Sequence, residues 1–137
     1  MSRFSASVIV LGLLSITVAA TYVCTARAGA TDSSPVVIDA TGRTASGSFG
    51  TARNETSDPN QYIYCTINGT ATQLTGACHA LNAANPSGVS CTTANATLIA
   101  ILEEATTDSF VSFVWNPSKV CTSIQVTESS KTEPKLL

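Results

Sequence analysis

Cysteine offers the most obvious chemistry in this 137-residue chain, which contains five cysteines. Cys24 lies in an N-terminal segment that we expect to be removed as a signal peptide. The four cysteines that remain are Cys65, Cys78, Cys91 and Cys121. An even number of cysteines in a small exported chain indicates two disulfides, each worth on the order of 2–4 kcal/mol of stability. No pair has Cys-x-x-Cys spacing, so we expect no metal site at these residues.

Four cysteines allow three pairings. If residues 83–86 form the loop of a hairpin, Cys78 lies directly opposite Cys91. That favours a bond between Cys78 and Cys91 and leaves Cys65 to pair with Cys121. One feature disagrees, because Cys121 falls on the mixed face of its strand, whereas Cys65 shares a face with two isoleucines.

The first candidate for a catalytic general base is His79, the only histidine. A general base needs a nucleophile or an acid within reach, and no sequence neighbour supplies one. Glu103 and Glu104 lie about 100° apart around a helix, so they cannot form an acid–base pair. Asp58 and Glu55 lack the alternating acidic run of a calcium loop. We therefore expect no catalytic residue, cofactor or metal, and we favour a non-enzymatic protein.

Aromatic side chains are the best candidates for ligand binding, because exposed aromatic residues are common in binding sites. Tyr62 and Tyr64 share one face of a strand, since side chains two residues apart point the same way. We name these two as the possible ligand-binding pair, although packing in the core is the favoured interpretation of both. Trp115 is expected to pack in the core.

The N-terminus predicts export. Arg3 is followed by an uncharged apolar run over 8–20 and by the small-x-small pattern Ala-Gly-Ala over 28–30. We expect cleavage of a signal peptide after Ala30 and a secreted or periplasmic product; a retained anchor is the alternative. The expected parts are therefore a signal peptide over 1–30, a flexible leader over 31–43, a single domain over 44–127 and a flexible tail over 128–137.

The charge of the processed chain limits its partners. Without residues 1–30, the chain keeps five of its seven Lys and Arg and all nine Asp and Glu, a net charge of −4. With no basic patch, we expect no nucleic-acid partner and, after cleavage, no membrane partner. A protein or surface ligand remains possible.

One helix and a hairpin are the clearest elements. Asn95 can cap a helix that continues to about Ala105, with apolar residues at 98, 102 and 105 on one face. Residues 110–115 and 120–126 alternate as two strands around a loop at 116–119 that contains proline. The expected pairs are Trp115 with Val120, Phe113 with Thr122, and Val111 with Ile124. This register would give one face of Val111, Phe113, Trp115, Val120, Ile124 and Val126.

The preceding residues predict further strands. Residues 61–67 alternate as a strand, Asn68 and Gly69 form the favoured two-residue hairpin turn, and 70–82 return. Residues 89–92 form a short strand, and 44–53 form a weak edge strand or, less favoured, a loop over the sheet. Residues 31–42 are expected as a mobile leader or an edge segment. The order predicts an α+β fold: a small, mostly antiparallel sheet with one amphipathic helix on one face and two disulfides.

The segments 47–54, 61–65, 89–91, 108–115 and 121–124 together resemble a group of small secreted bacterial proteins of unknown function. The resemblance covers most of the processed chain, implies a bacterial source and carries no known activity. We therefore expect a disulfide-stabilised, secreted binding or structural module. The alternative is a small secreted hydrolase or inhibitor-like effector, which a pocket joining His79 to a carboxylate and a Ser or Thr would favour.

Overall fold

The computed structural model describes residues 32–54 and 57–132. The elements in chain order are β1 (Val37–Asp39), β2 (Thr44–Ser48), α1 (Phe49–Asn54), β3 (Tyr62–Gly69), β4 (Leu74–Asn82), β5 (Asn85–Thr93), α2 (Ala96–Glu103), β6 (Phe110–Trp115) and β7 (Cys121–Thr127). The expected signal peptide over 1–30 and the last residues of the expected tail, 133–137, lie outside the described residues.

The named strands form two antiparallel sheets, β1-β2-β6-β7 and β3-β4-β5. The expected α+β class with mostly antiparallel strands is confirmed, although the strands divide into two sheets and a short second helix follows β2. The segment 44–53 is not an edge strand, since β2 lies between β1 and β6. The absence of a side chain at Gly47 allows Val36 and Ile63 to pack closely against β2, since a Cβ there would lie 3.2 Å from Val36 Cα and 3.4 Å from Ile63 Cγ2.

Both sheets and α2 contribute to one core. Its largest fully buried side chain, Phe113, comes from β6, in which Val111 is also fully buried. Helix α2 lies close to β4 because Gly76 has no side chain; a Cβ there would lie 3.0 Å from Leu102 Cδ1. The buried members of this core are Val36, Ala45, Ile63, Cys78, Ala80, Cys91, Leu102, Phe113, Cys121 and Ile124.

The sequence predicts the start of α2 correctly. Asn95 Oδ1 accepts hydrogen bonds from Thr97 N at 2.9 Å and Leu98 N at 3.2 Å, as a helix N-cap does. The helix ends at Glu103, earlier than expected. Its buried residues are Ile99 and Leu102, and Ile99 was absent from the expected apolar face.

The strands β6 and β7 form the expected hairpin, but the expected register is wrong. The observed pairs are Val111 with Val126, Phe113 with Ile124, and Trp115 with Cys121. The register shifts beside Trp115 because β7 contains one extra residue, a β-bulge. This bulge turns Cys121 into the core and leaves Val120 exposed, whereas Trp115 packs against the core as expected.

The turn between β3 and β4 also differs from the expected one. Asn68 and Gly69 belong to β3 and pair with Thr75 and Leu74. The chain turns over 70–73, where Thr70 N donates to the Gln73 carbonyl at 2.8 Å. A turn at 68–69 would place Cys65 opposite residue 72, whereas the later turn places it opposite Cys78.

The leader expected over 31–43 contributes β1, the edge-segment alternative. Val36 is buried; its N–H donates to Gln61 Oε1 at 2.8 Å, and its carbonyl accepts from Asn82 Nδ2 at 2.9 Å. The first residue of the expected flexible tail is also tied to the domain, since Glu128 accepts hydrogen bonds from Ser109 and Thr106.

Candidate functional site

Three of the four paired cysteines lie in one row across the three-stranded sheet. Cys78 is opposite Cys65 on one side and opposite Cys91 on the other. The expected position of Cys78 opposite Cys91 is therefore confirmed. The bonds formed are Cys65–Cys78, with Cα atoms 4.1 Å apart, and Cys91–Cys121, with Cα atoms 5.1 Å apart.

The expected bonds, Cys78–Cys91 and Cys65–Cys121, are thus wrong. Cys65 and Cys78 form a closely spaced cross-strand pair, the kind in which side chains approach each other most. Cys91 bonds instead to Cys121, which the bulge in β7 has turned inward. The sequence held one signal of this bulge: Cys121 was out of phase with the apolar residues of its strand.

The outer face of the three-stranded sheet carries the candidate contact surface. Tyr62 is 42% exposed and Tyr64 is 43% exposed. The Tyr64 ring stacks on His79, with centroids 4.8 Å apart and planes at 15°, and the Tyr62 and Tyr64 centroids are 5.7 Å apart. The structure therefore unites both predicted tyrosines with His79 in one surface, which we call the aromatic row (Tyr62, Tyr64 and His79).

Hydroxyl groups flank the aromatic row. Ser90 lies across from His79 on β5, and Thr66 and Thr92 lie on either side of Ala77 in the next cross-strand position. None of these residues carries a formal charge at pH 7 with histidine neutral. The arrangement suits apolar and hydrogen-bonding contact more than ion pairing.

A depression of about 190 Å³ lies beside Tyr62. Gln61, which lines it, is held by the hydrogen bond from Val36 N to its Oε1, and its buried Nε2 has no hydrogen-bond partner among the described residues. Arg53 is exposed at this place. The full lining is Phe49, Ala52, Arg53, Gln61, Tyr62 and Ile63. The surface next to the aromatic row, formed by α1 and the start of β3, therefore includes the positive charge of Arg53.

His79 is not joined to catalytic partners in the part of the chain that the structure describes. Its contact is the stacked Tyr64 ring, and neither Ser90 nor a carboxylate is hydrogen-bonded to it. Among residues 32–54 and 57–132, no group of three or more His, Cys, Asp or Glu side chains is placed to hold a metal ion. The geometry that would favour a hydrolase is thus not found among these residues.

Comparison with known protein families, curated proteins and solved structures finds no match. The resemblance to small secreted bacterial proteins stays a prediction. Over the described residues, no helix is long and apolar enough to cross a bilayer. The structure shows a small α+β domain stabilised by two disulfides.

Proposed function

We propose that this chain is an exported, non-enzymatic domain that binds a protein or surface ligand through its aromatic row. The observation that carries the proposal is the exposure of Tyr62 and Tyr64 beside His79 on a sheet face whose own strand residues include no Asp, Glu, Lys or Arg. Exposed tyrosines gain little of the burial energy that stabilises a fold, and buried tyrosines are among the strongest contributors to interfaces.

The contacts within the aromatic row favour binding. Tyr64 is held between Tyr62 and His79, and cross-strand neighbours restrict the rotamers of each ring. Side chains that are already ordered lose less conformational entropy when a ligand arrives. The row is therefore a preorganised contact surface rather than a set of independent exposed rings.

The disulfides support export. Disulfides persist in oxidising compartments and are rare where thiols are kept reduced, and both bonds here are compatible with an extracellular or periplasmic location. The N-terminal segment has the charge, apolar run and small-residue pattern of a signal peptide, and we propose cleavage after Ala30.

Photocrosslinking tests the binding proposal and works for a ligand of any identity. Replacement of Tyr64 by p-benzoylphenylalanine, in the cell that exports the protein, places a reactive aromatic ketone within the aromatic row. The same replacement of Val37, which is 59% exposed on β1, is the matched control. We expect a discrete adduct from position 64 and none from position 37. No adduct at 64, or equal adducts at both positions, would contradict the proposal.

A further inference from the structure

The free edge of β3 is a second unoccupied surface of the three-stranded sheet. In the described part of the chain, β3 pairs with β4 alone. The short Cα separation of 4.1 Å identifies Cys65 and Cys78 as a non-hydrogen-bonded pair. The backbone N–H and C=O of Cys65 and Ile67 therefore point away from β4, and no other described element forms a backbone hydrogen bond to them.

Helix α1 lies against the start of β3 at Tyr62 and Ile63. From Tyr64 to Gly69, this edge has none of the usual protection against strand pairing. Over the eight residues of Tyr62–Gly69 there is no charged residue, no proline and no bulge. The other edges differ. Strand β1 has three residues and ends in Asp39, β5 is engaged through the hydrogen bond from Thr92 N to the Lys119 carbonyl, and β7 carries the bulge.

Apolar side chains flank the β3 edge on both faces. Tyr64 lies on the outer face, and Ile67 and Leu74, which are 36% and 48% exposed, lie on the face that continues into the core. Residues 66–70 are all exposed, so the end of the hairpin extends beyond the core. A strand added here would form backbone hydrogen bonds and bury apolar surface on both sides.

We propose that β3 of a second copy of this chain pairs antiparallel with β3 about a twofold axis and forms a six-stranded sheet. In a twofold-symmetric pair, residues of β3 lie opposite residues of β3 from the other copy. Because β3 contains no charged residue, this pairing places no like charges opposite each other. Closure of the pair leaves neither β3 edge free. The inference goes beyond the proposed function, because it places two aromatic rows on the same face of one continuous sheet.

Sedimentation equilibrium of the exported, disulfide-bonded protein tests this pairing. We expect the mass to approach that of a dimer as concentration rises to the millimolar range. Thr66→Lys should weaken dimerisation at least tenfold, because lysine on an edge strand opposes pairing. Thr92→Lys is the matched control, since Thr92 occupies the same cross-strand position at the opposite edge of the sheet, and it should dimerise as the unmodified protein does.

A monomer at all concentrations, or equal dimerisation of the two lysine variants, would overturn the proposal. If Thr66→Lys fails to fold, Ile67→Pro replaces it: its lost N–H points away from β4, so the β3–β4 hydrogen bonds remain. We expect Ile67→Pro to be monomeric, and a dimeric variant would also overturn the proposal. A monomer that still crosslinks at position 64 would refute the dimer alone and leave the binding proposal intact.

Discussion

The four-stranded sheet and the three-stranded sheet are stabilised differently. In the first, Val111 and Phe113 of β6 are entirely buried. In the second, the outer face leaves Tyr62 and Tyr64 exposed, but Cys65, Cys78 and Cys91 all lie in disulfides. The three-stranded sheet, whose hairpin end at residues 66–75 is exposed, thus holds three of the four disulfide-bonded cysteines, and we call it the open sheet. The four-stranded sheet, which contains the most buried strand, is called the covered sheet.

This difference explains how a small domain can leave the end of one sheet outside its core. A sheet whose hairpin end at residues 66–75 is exposed buries less apolar area and gains less from the hydrophobic effect. Disulfides compensate because they restrict the unfolded chain and need no cover in the folded state. The Cys65–Cys78 bond holds two strands of the open sheet together, and the Cys91–Cys121 bond holds that sheet to the covered one.

The largest effect should come from truncation in the covered sheet. We expect Phe113→Ala to lower the free energy of unfolding by about 4 kcal/mol, because it removes a fully buried ring. Tyr64→Ala, a matched aromatic truncation in the open sheet, should cost less than about 1 kcal/mol. Urea denaturation of both variants measures the difference, and comparable losses would show that the two sheets do not differ in this way.

Removal of the disulfides should have effects of similar or slightly smaller size. Loop-closure entropy predicts a loss of about 4 kcal/mol for Cys91→Ala with Cys121→Ala, and about 3 kcal/mol for Cys65→Ala with Cys78→Ala. Thermal or urea unfolding of the two double variants measures these losses. The bond between the sheets closes the longer loop, 30 residues against 13, and is therefore expected to contribute more.

Non-reducing peptide mapping checks the pairing on which those values depend. No Lys or Arg lies between Arg53 and Lys119, so trypsin leaves three cysteines in one peptide. Chymotryptic cleavage after Leu74 and Leu81 separates them. A peptide that links Cys78 to Cys91 would contradict the structure and both stability values.

The smallest effects should come from two buried serines in the covered sheet and its adjoining loop. The Ser109 hydroxyl donates to Glu128 and accepts from Thr106 N at 2.7 Å, whereas the Ser48 hydroxyl has no hydrogen-bond partner within residues 32–54 and 57–132. We expect Ser109→Ala to cost about 1–2 kcal/mol, and Ser48→Ala to be neutral or stabilising by up to about 1 kcal/mol. The same urea denaturation measures both, and a larger loss for Ser48→Ala would contradict this assignment.

The sequence predicts elements well where the signal is local. The side chain of Asn95 identifies the start of α2, and the alternation of 110–115 identifies β6 at its observed bounds. Register was predicted less well, because it depends on residues that alternation does not detect. One extra residue in β7 and a turn two residues later than Asn68-Gly69 changed which residues lie opposite each other.

The candidate site was predicted in part for the same reason. Tyr62 and Tyr64 are two residues apart on one strand, so their shared face follows from the sequence. The position of His79 beside Tyr64 depends on the β3–β4 register, which the misplaced turn obscured. The approach of Arg53 and Gln61 to Tyr62 depends on α1, a helix of six residues without the length for a clear apolar period.

The central claim is that the disulfides, rather than burial against the core, hold the three-stranded open sheet in place. Hydrogen exchange measured before and after reduction of the disulfides tests it most directly. We expect reduction to accelerate amide exchange in β3, β4 and β5 while the amides of β2 and β6 remain protected. An equal acceleration in both sheets, or none in either, would contradict the claim.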